Sequence, residues 1–332
     1  MSRDPFSTRL LAWYDAHGRK TLPWKRRRDP YRIWVSEIML QQTQVTTVIP
    51  YFERFIKRFP DIRTLARARP DSVLHLWSGL GYYARARNLH KAARQIVADH
   101  GGKFPRDIES VMRLPGIGRS TAGAILALAF HQPHAILDGN VKRVLARYHA
   151  IRAPLNRRDA TDQLWQLAER HTPHIRVTDY TQAIMDLGAT VCTRTNPDCA
   201  ACPVRTGCRA RKLGVPQNFP VTAKRKMLPV KKVNMLLIRD DRNRVLLVKR
   251  PPAGLWGGLW GLPECTQKNV RAWCHDHIGL DIRPQPAWPA FRHRFSHFHL
   301  DITPIPARTT GNCERAMENG DSVWYNVARP DA

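Results

Sequence analysis

The chain has 332 residues, 43% hydrophobic and 24% charged, enough for about two domains and unlike either a disordered polymer or a membrane bundle. Its longest stretch without Asp, Glu, Lys or Arg, Ser120 to Leu137, is interrupted by His131, Gln132, Pro133 and His134, so no run of about 20 apolar residues is present to span a bilayer. Lysine and arginine number 54 against 27 acidic residues, a net charge of +27, which points to a polyanionic partner rather than a small acidic metabolite.

The opening MSRDPFSTRLLAWYDAHGRK has an apolar core too short and too broken by charge for a signal peptide. An intracellular, reducing location is expected. From there to about residue 213 apolar positions recur at helical spacing: Trp34, Ile38, Val45, Val48 and Ile49, then Val73 to Trp77, Ala86 to Val97, Ala122 to Phe130 and Val141 to Tyr148. Glu37 lies inside the first of these stripes. A lone Glu on a helix is ordinarily solvated, but among apolar neighbours burial raises its pKa and keeps it protonated as an acid.

Leu114-Pro115-Gly116-Ile117-Gly118 separates two helical stretches. Two glycines around an apolar residue allow a tight hairpin whose backbone N–H groups, at the start of the next helix, point at one anion. This is the helix-hairpin-helix pattern, which grips a DNA phosphate without reading sequence. An ordinary helix turn also ends in Pro and Gly, and the net charge favours the phosphate reading. Asp138, in Ile136-Leu137-Asp138-Gly139-Asn140, follows an apolar run and precedes a helix. It suits an N-cap, and that role is compatible with a catalytic carboxylate, because the helix N-terminus holds the Asp ionised and fixed.

Seven cysteines are present, and four crowd together as Cys192, Cys199, Cys202 and Cys208, spaced C-x6-C-x2-C-x5-C. In a reducing compartment this reads as a metal site rather than a disulfide framework. Zinc sites usually pair two short knuckles, whereas iron–sulfur clusters tolerate irregular spacing, so one close pair flanked by longer arms favours the cluster over zinc. Arg194, Arg205, Arg209, Arg211 and Lys212 crowd the same segment and suit contact with phosphates. Cys265, Cys274 and Cys313 are scattered and are expected to be packing residues.

Residues 214–232, GVPQNFPVTAKRKMLPVKK, carry three prolines among basic residues and read as an extended linker. Residues 1–213 hold 36 Lys and Arg against 17 Asp and Glu, and residues 214–332 hold 18 against 10. Lys224, Arg225, Lys226, Lys231 and Lys232 account for most of the second excess, so the basic charge belongs to the first domain and the linker. Beyond it Val233 to Ile238 and Arg244 to Arg250 read as a β-hairpin around the polar turn 239–243, Arg271 to Ile278 as a helix, and Phe298, Leu300 and Ile302 as an alternating strand. The expected architecture is therefore multidomain: a mainly α-helical domain over 1–213 ending in the metal loop, and an α+β domain over 233–332.

These pieces resemble the MutY family of A/G-specific adenine DNA glycosylases, within the endonuclease III superfamily of helix-hairpin-helix glycosylases. The match runs through LPW at Leu22 to Trp24, SEIMLQQTQV at Ser36 to Val45, GLGYYARARNLHKAA at Gly79 to Ala93, LPGIGRSTAGAI at Leu114 to Ile125, ILDGNVKRVLAR at Ile136 to Arg147, MDLGA at Met185 to Ala189, the four cysteines, and FRHRFSHFHL at Phe291 to Leu300. The resemblance implies a DNA N-glycosylase of base excision repair that flips adenine out of a mispair with 8-oxoguanine or guanine and so prevents G·C to T·A transversions. It assigns proton donation to Glu37, stabilisation of the positive sugar to Asp138, and orientation of Asp138 to Asn140. Trp24, Leu40, Gln182 and Met185 would form the adenine pocket.

Bifunctional relatives of the endonuclease III type carry a Lys immediately after the hairpin's basic residue, and its amine attacks the sugar. Here that position is Ser120. The resemblance thus implies a monofunctional enzyme rather than the alternative glycosylase/lyase. Gln42, Thr43, Leu80 and Tyr82 match positions that enter the duplex beside the lesion, while Gly116 and Gly118 belong to the phosphate-gripping hairpin. The four cysteines would hold one 4Fe-4S cluster. A bacterial cytoplasmic, nucleoid-associated monomer acting on double-stranded DNA is expected.

The second domain resembles a Nudix fold. Gly258 to Glu264 fits the opening G-x5-E of the Nudix box and Gly279-Leu280 its end. Where the hydrolase pattern requires Arg-Glu-x-x-Glu-Glu, the chain has Ala272, Trp273, Cys274, His275, Asp276 and His277. Asp276 alone could hold a divalent metal, so a binding role replaces pyrophosphate hydrolysis. Phe295, Ser296 and His297 match the family loop that recognises 8-oxoguanine, whose O8 and N7 proton a Ser hydroxyl and nearby backbone groups can satisfy.

Overall fold

The computed structural model describes residues 4–221, 227–310 and 321–328. The chain divides into two compact units, Met1–Lys224 and Arg225–Ala332. Lys224, Arg225 and Lys226 of the basic segment, and Cys313, lie outside the described residues.

The first unit is helical, and its acidic residues do much of the work of starting helices. Asp4, Asp29, Asp61, Asp107 and Asp138 each accept an N–H from the first turn that follows, a cap worth about 1 kcal/mol apiece. Helices Pro5–His17 and Pro30–Leu40 also begin on proline, whose missing N–H costs nothing there. One group of helices closes around Trp34, Phe52, Phe55, Phe59, Leu65, Trp77 and Leu89, all fully buried. The rings of Phe55 and Trp77 meet edge-on at 6.0 Å. A second group, including Gly139–His149 and Val177–Thr190, packs around Phe6, Leu10, Val144, Leu145, Leu164, Tyr180, Ile184 and Leu187. Helix Arg119–Phe130 packs against both Pro30–Leu40 and Val177–Thr190 and so joins the two groups.

The sequence reading starts an extended linker at 214. Instead, Pro216–Asn218 form a 3-10 turn, and Arg147 donates to the carbonyls of Pro216 and Phe219, both at 2.9 Å. Phe219 is buried. A buried guanidinium needs several acceptors, and this segment supplies two of them.

The second unit is an eight-stranded mixed sheet with one helix among its described residues. Its strands are β1 (Val230–Arg239), β2 (Val245–Lys249), β3 (Trp260–Gly261), β4 (Glu264–Cys265), β5 (Ile282–Pro284), β6 (Phe291–Arg294), β7 (His299–Thr309) and β8 (Ser322–Tyr325). β1 and β7 run parallel along their length, and β2 returns antiparallel from β1 as the hairpin reading expects. Buried Asp240 shapes that turn by accepting from the Arg244 main-chain and Nε N–H groups, both at 2.6 Å. β1 begins at Val230, so Lys231 and Lys232 are strand residues rather than linker. Helix Val270–Ile278 is capped by Asn269 and stopped by Gly279 at φ 72°, where glycine is the least strained residue. Leu236, Ile238, Leu246, Leu280 and Trp324 form the core, with Cys265 and Cys274 packed inside it.

Candidate active site

A cleft of about 1020 Å³ opens in the helical unit. Trp24, Glu37, Leu40, Gln42, Thr43, Ser120, Asp138, Asn140, Gln182 and Met185 all line it, so residues spread over 160 positions of sequence meet in one place. Glu37 sits on a helix whose Ile33, Trp34, Val35, Ile38 and Met39 are buried, and turns its carboxyl into the cleft. Burial pushes its pKa up to about 7, the negative charge of Asp138 adds to the rise, and Lys25 partly opposes it. Burial also raises Asp138 above the ordinary carboxylate range, and the N–H groups of Val141 and Asn140 and the charges of Arg143 and Lys142 oppose that rise only in part. Both carboxyls are buried, but their surroundings differ: Asp138 has a helix N-terminus and two cations to favour its ionised form, whereas Glu37 has Lys25 alone.

Asp138 is fixed from several sides. Its Oδ1 accepts the Val141 N–H at 2.7 Å. Just before it, the Leu137 N–H donates to Ser120 Oγ at 2.9 Å. Two helical glycines let neighbouring backbone come close: a Cβ on Gly123 would lie 2.6 Å from the Ala135 carbonyl oxygen, and one on Gly188 would lie 2.6 Å from Asn140 Cβ. Asn140 differs from its expected role in one respect. Its side-chain oxygen is taken by Arg143 at 2.8 Å, so its influence on Asp138 runs through its main-chain N–H. Arg143 also donates to the carbonyls of Gly188 at 2.6 Å and Cys192 at 2.7 Å.

Gln42, which lines the cleft, and Tyr82, which does not, are both left-handed, at φ 57° and φ 49°. Such backbone is costly away from glycine, and buried Arg85 pays part of it by supplying donors to both turns. Its guanidinium bonds the carbonyls of Ile38, Met39, Gln41, Leu80 and Gly81 and the Thr43 hydroxyl. Tyr82 is about half exposed, whereas Leu80 is 6% exposed; of these two it is Tyr82 that is presented outward, because Leu80 folds inward beneath the turn. Arg85 was not singled out by the sequence, where it is one arginine among many.

Leu114–Gly118 forms the expected hairpin between helices Ile108–Met112 and Arg119–Phe130. Gly116 needs its glycine, with φ 82° and the Asn88 side chain 2.9 Å from where a Cβ would stand. Gly118 does not need it for conformation, since its φ is −93°. The absent side chain instead leaves open space in front of the helix N-terminus. Arg119 beside it pairs with Glu169 and lies 4.0 Å over the Trp165 ring.

Cys192, Cys199, Cys202 and Cys208 ring one cavity together with Arg147, Tyr148 and Leu187. Among the described residues no three of these or other ligand types converge on a single ion. Burial raises the thiols of Cys199, Cys202 and Cys208, Cys202 to about 12, and the nearby sulfur of Cys192 adds to each rise. Arg147 donates to Cys192 Sγ at 3.3 Å and to the Thr193 carbonyl at 2.6 Å, so two consecutive turns of helix Gly139–His149 hold the loop.

In the second unit, Asp276 is exposed and Glu264 is engaged by Arg250, whose guanidinium lies 5.0 Å over the Trp256 ring. No carboxylate cluster remains there among the described residues. Phe295, Ser296 and His297 form the tip between β6 and β7, closed by the Phe295 N–H on the Phe298 carbonyl at 2.9 Å. Phe295 stacks on Phe298 and abuts Trp256, while Ser296 and His297 are exposed.

Residues 35–170 match the HhH-GPD superfamily of base excision DNA repair proteins, and residues 234–332 match the NUDIX domain. The chain is similar to a thermostable thymine-DNA glycosylase, with a TM-score of 0.57 and 28% identity over 63% of this chain and 95% of that one. It shares its fold with endonuclease III in a non-covalent DNA complex, at a TM-score of 0.54 and 20% identity over 63% and 94% of the two chains. Fold and hairpin together define a helix-hairpin-helix glycosylase of base excision repair, with a Nudix-like second domain. Nearly the whole chain, 98%, is similar to 92% of the adenine DNA glycosylase of Buchnera aphidicola subsp. Baizongia pistaciae, at 40% identity over 331 residues. The human adenine DNA glycosylase is 39% identical over 316 residues, 79% of this chain and 57% of that one. The chain belongs to the adenine DNA glycosylase family.

Proposed function

We propose that this protein flips adenine out of mispairs with 8-oxoguanine or guanine in duplex DNA and hydrolyses its N-glycosidic bond. The observation that carries the reading is the pair of carboxyls in one cleft with unlike surroundings, Glu37 raised to about 7 and Asp138 capping a helix. Adenine leaves poorly as an anion. Glu37 gives its proton to N7, the C1′–N9 bond breaks towards the base, and ionised Asp138 stabilises the positive sugar until water adds at C1′. Trp24, Leu40, Gln182 and Met185 surround the base. Ser120 offers no amine to the sugar, so the product is an abasic site and the reaction stops without strand cleavage.

Gly116 and Gly118 grip a phosphate, and Gln42, Thr43 and Tyr82 occupy the gap left by the flipped base, with Leu80 supporting them from beneath. Phe295, Ser296 and His297 read 8-oxoguanine on the opposite strand. The four cysteines ring a shared cavity, and their thiolates, in the uneven spacing C-x6-C-x2-C-x5-C, would suit one 4Fe-4S cluster. The cluster would order a loop rich in Arg194, Arg205, Arg209, Arg211 and Lys212 against the DNA backbone. The protein works as a monomer in the cytoplasm, on the nucleoid. Single-turnover excision tests the mechanism: Glu37→Gln should bind the mispaired duplex and release no adenine, and retained turnover would remove Glu37 from the reaction.

A further inference from the structure

Asp186 lies one turn after Gln182 on helix Val177–Thr190 and is 1% exposed. Its carboxylate is fully engaged. Oδ2 accepts the Arg19 main-chain N–H at 2.9 Å, and Oδ1 accepts Arg19 Nε at 2.9 Å, with Arg19 Nη2 at 2.7 Å. Oδ1 also accepts Gln182 Nε2 at 2.7 Å. A carboxylate paired with a guanidinium in this way can only accept, so it takes the NH2 end of the Gln182 amide and leaves the oxygen on the other side. Gln182 is 5% exposed and lines the cleft shared by Glu37 and Asp138. Its Oε1 accepts no hydrogen bond from a described residue.

We propose that Asp186 is a positioning residue that sets base selectivity by fixing which end of the Gln182 amide faces the flipped base. This rests on the cleft being the adenine pocket. Adenine presents an amine at C6, a donor that Oε1 accepts; hypoxanthine and guanine present a carbonyl oxygen there, whose lone pairs meet those of Oε1. An unpinned glutamine amide turns over by rotation about its last torsion and would serve an amine or a carbonyl alike. The buried carboxylate removes the second option. Arg19, bonded through both its backbone and its side chain, fixes that carboxylate in place, so selectivity at the base is relayed from a residue that does not touch it.

The experiment compares single-turnover excision of adenine and of hypoxanthine, each opposite 8-oxoguanine, by wild type, Asp186→Asn, Gln182→Ala and the double variant. An Asn at 186 can present either its oxygen or its NH2 to Gln182, so both amide orientations become available. The adenine-to-hypoxanthine rate ratio should fall about tenfold or more in Asp186→Asn, and Asp186→Asn should change it no further once Gln182 is Ala. A folded Asp186→Asn protein with the wild-type ratio overturns the proposal, as does an equal change in the Gln182→Ala background. Should the variant not fold, amide exchange of the Gln182 side chain in the wild type decides: a protected NH2 supports the proposal and rapid exchange overturns it. A wild type that releases no adenine would overturn the reading of the cleft, an outcome distinct from a wild type that releases adenine while Asp186→Asn leaves the ratio intact.

Discussion

Ser120 Oγ accepts the main-chain N–H of Leu137 at 2.9 Å, tying the first turn of helix Arg119–Phe130 to the segment that delivers Asp138. The position proposed to set this chain apart from lyases is thus also a strut. Ser120→Ala should lower stability by about 1 kcal/mol and slow excision several-fold, seen in thermal melts and single-turnover rates. Neither protein should be trapped on DNA by borohydride; a trapped wild type would mean that another amine reaches the sugar.

Glu37 gives a signed pH prediction. Its carboxyl, ordinarily near 4.5, is raised to about 7, and in the proposed mechanism it must be protonated for excision. The single-turnover rate should therefore fall as pH rises above about 7, by tenfold per unit, while protonation of Asp138 sets the acid limb. Stability runs with the same sign: the folded state binds the Glu37 proton more tightly than the unfolded chain, so Glu37 costs stability progressively from pH 4.5 to about 7. Glu37→Gln should melt higher than wild type at pH 8 and no higher at pH 4. A flat rate profile across pH 6 to 9 would contradict the assignment.

Gly188 tests how closely Asp138 must be placed. Gly188→Ala puts a methyl 2.6 Å from Asn140 Cβ, inside any tolerable contact, and the N-terminus of helix Gly139–His149 must shift. A displacement of about 1 Å at a reacting centre can cost on the order of 10²-fold. The variant should excise about a hundredfold more slowly while binding duplex within a few-fold of wild type, measured by band shift. Unchanged turnover would show that the turn carrying Asp138 tolerates movement.

The tip of the second unit is tested by Ser296→Ala combined with His297→Ala. Both residues are exposed, so the fold should be unaffected. Preference for adenine opposite 8-oxoguanine over adenine opposite guanine should fall by about tenfold, with excision from the guanine mispair retained. An unchanged preference would place recognition of the oxidised base elsewhere.

Much of this was legible in the sequence because local rules govern it. The helical spacing around Trp34 and Ile38, the Asp138 cap, the Gly116 turn and the hairpin after Ile238 each depend on neighbours in the chain. What the sequence hid were long side chains acting across elements. Arg85, Arg143 and Arg147 look like three more members of a basic surface, yet each is committed to carbonyls of segments distant in sequence. Asp186 was hidden too: Gln182 lies only one turn before it, but Arg19, which holds its carboxylate, is 167 positions away in the chain. The same holds for the start of the linker: proline composition suggests an open segment, whereas Arg147 holds the carbonyls of Pro216 and Phe219.

The central claim is tested most directly by alkali cleavage on two otherwise identical duplexes, one with adenine opposite 8-oxoguanine and one with 8-oxoguanine opposite cytosine. The account predicts an alkali-labile site at the adenine of the first, no break before alkali, and no reaction on the second. No lesion at the adenine, or cleavage at 8-oxoguanine paired with cytosine, would contradict it.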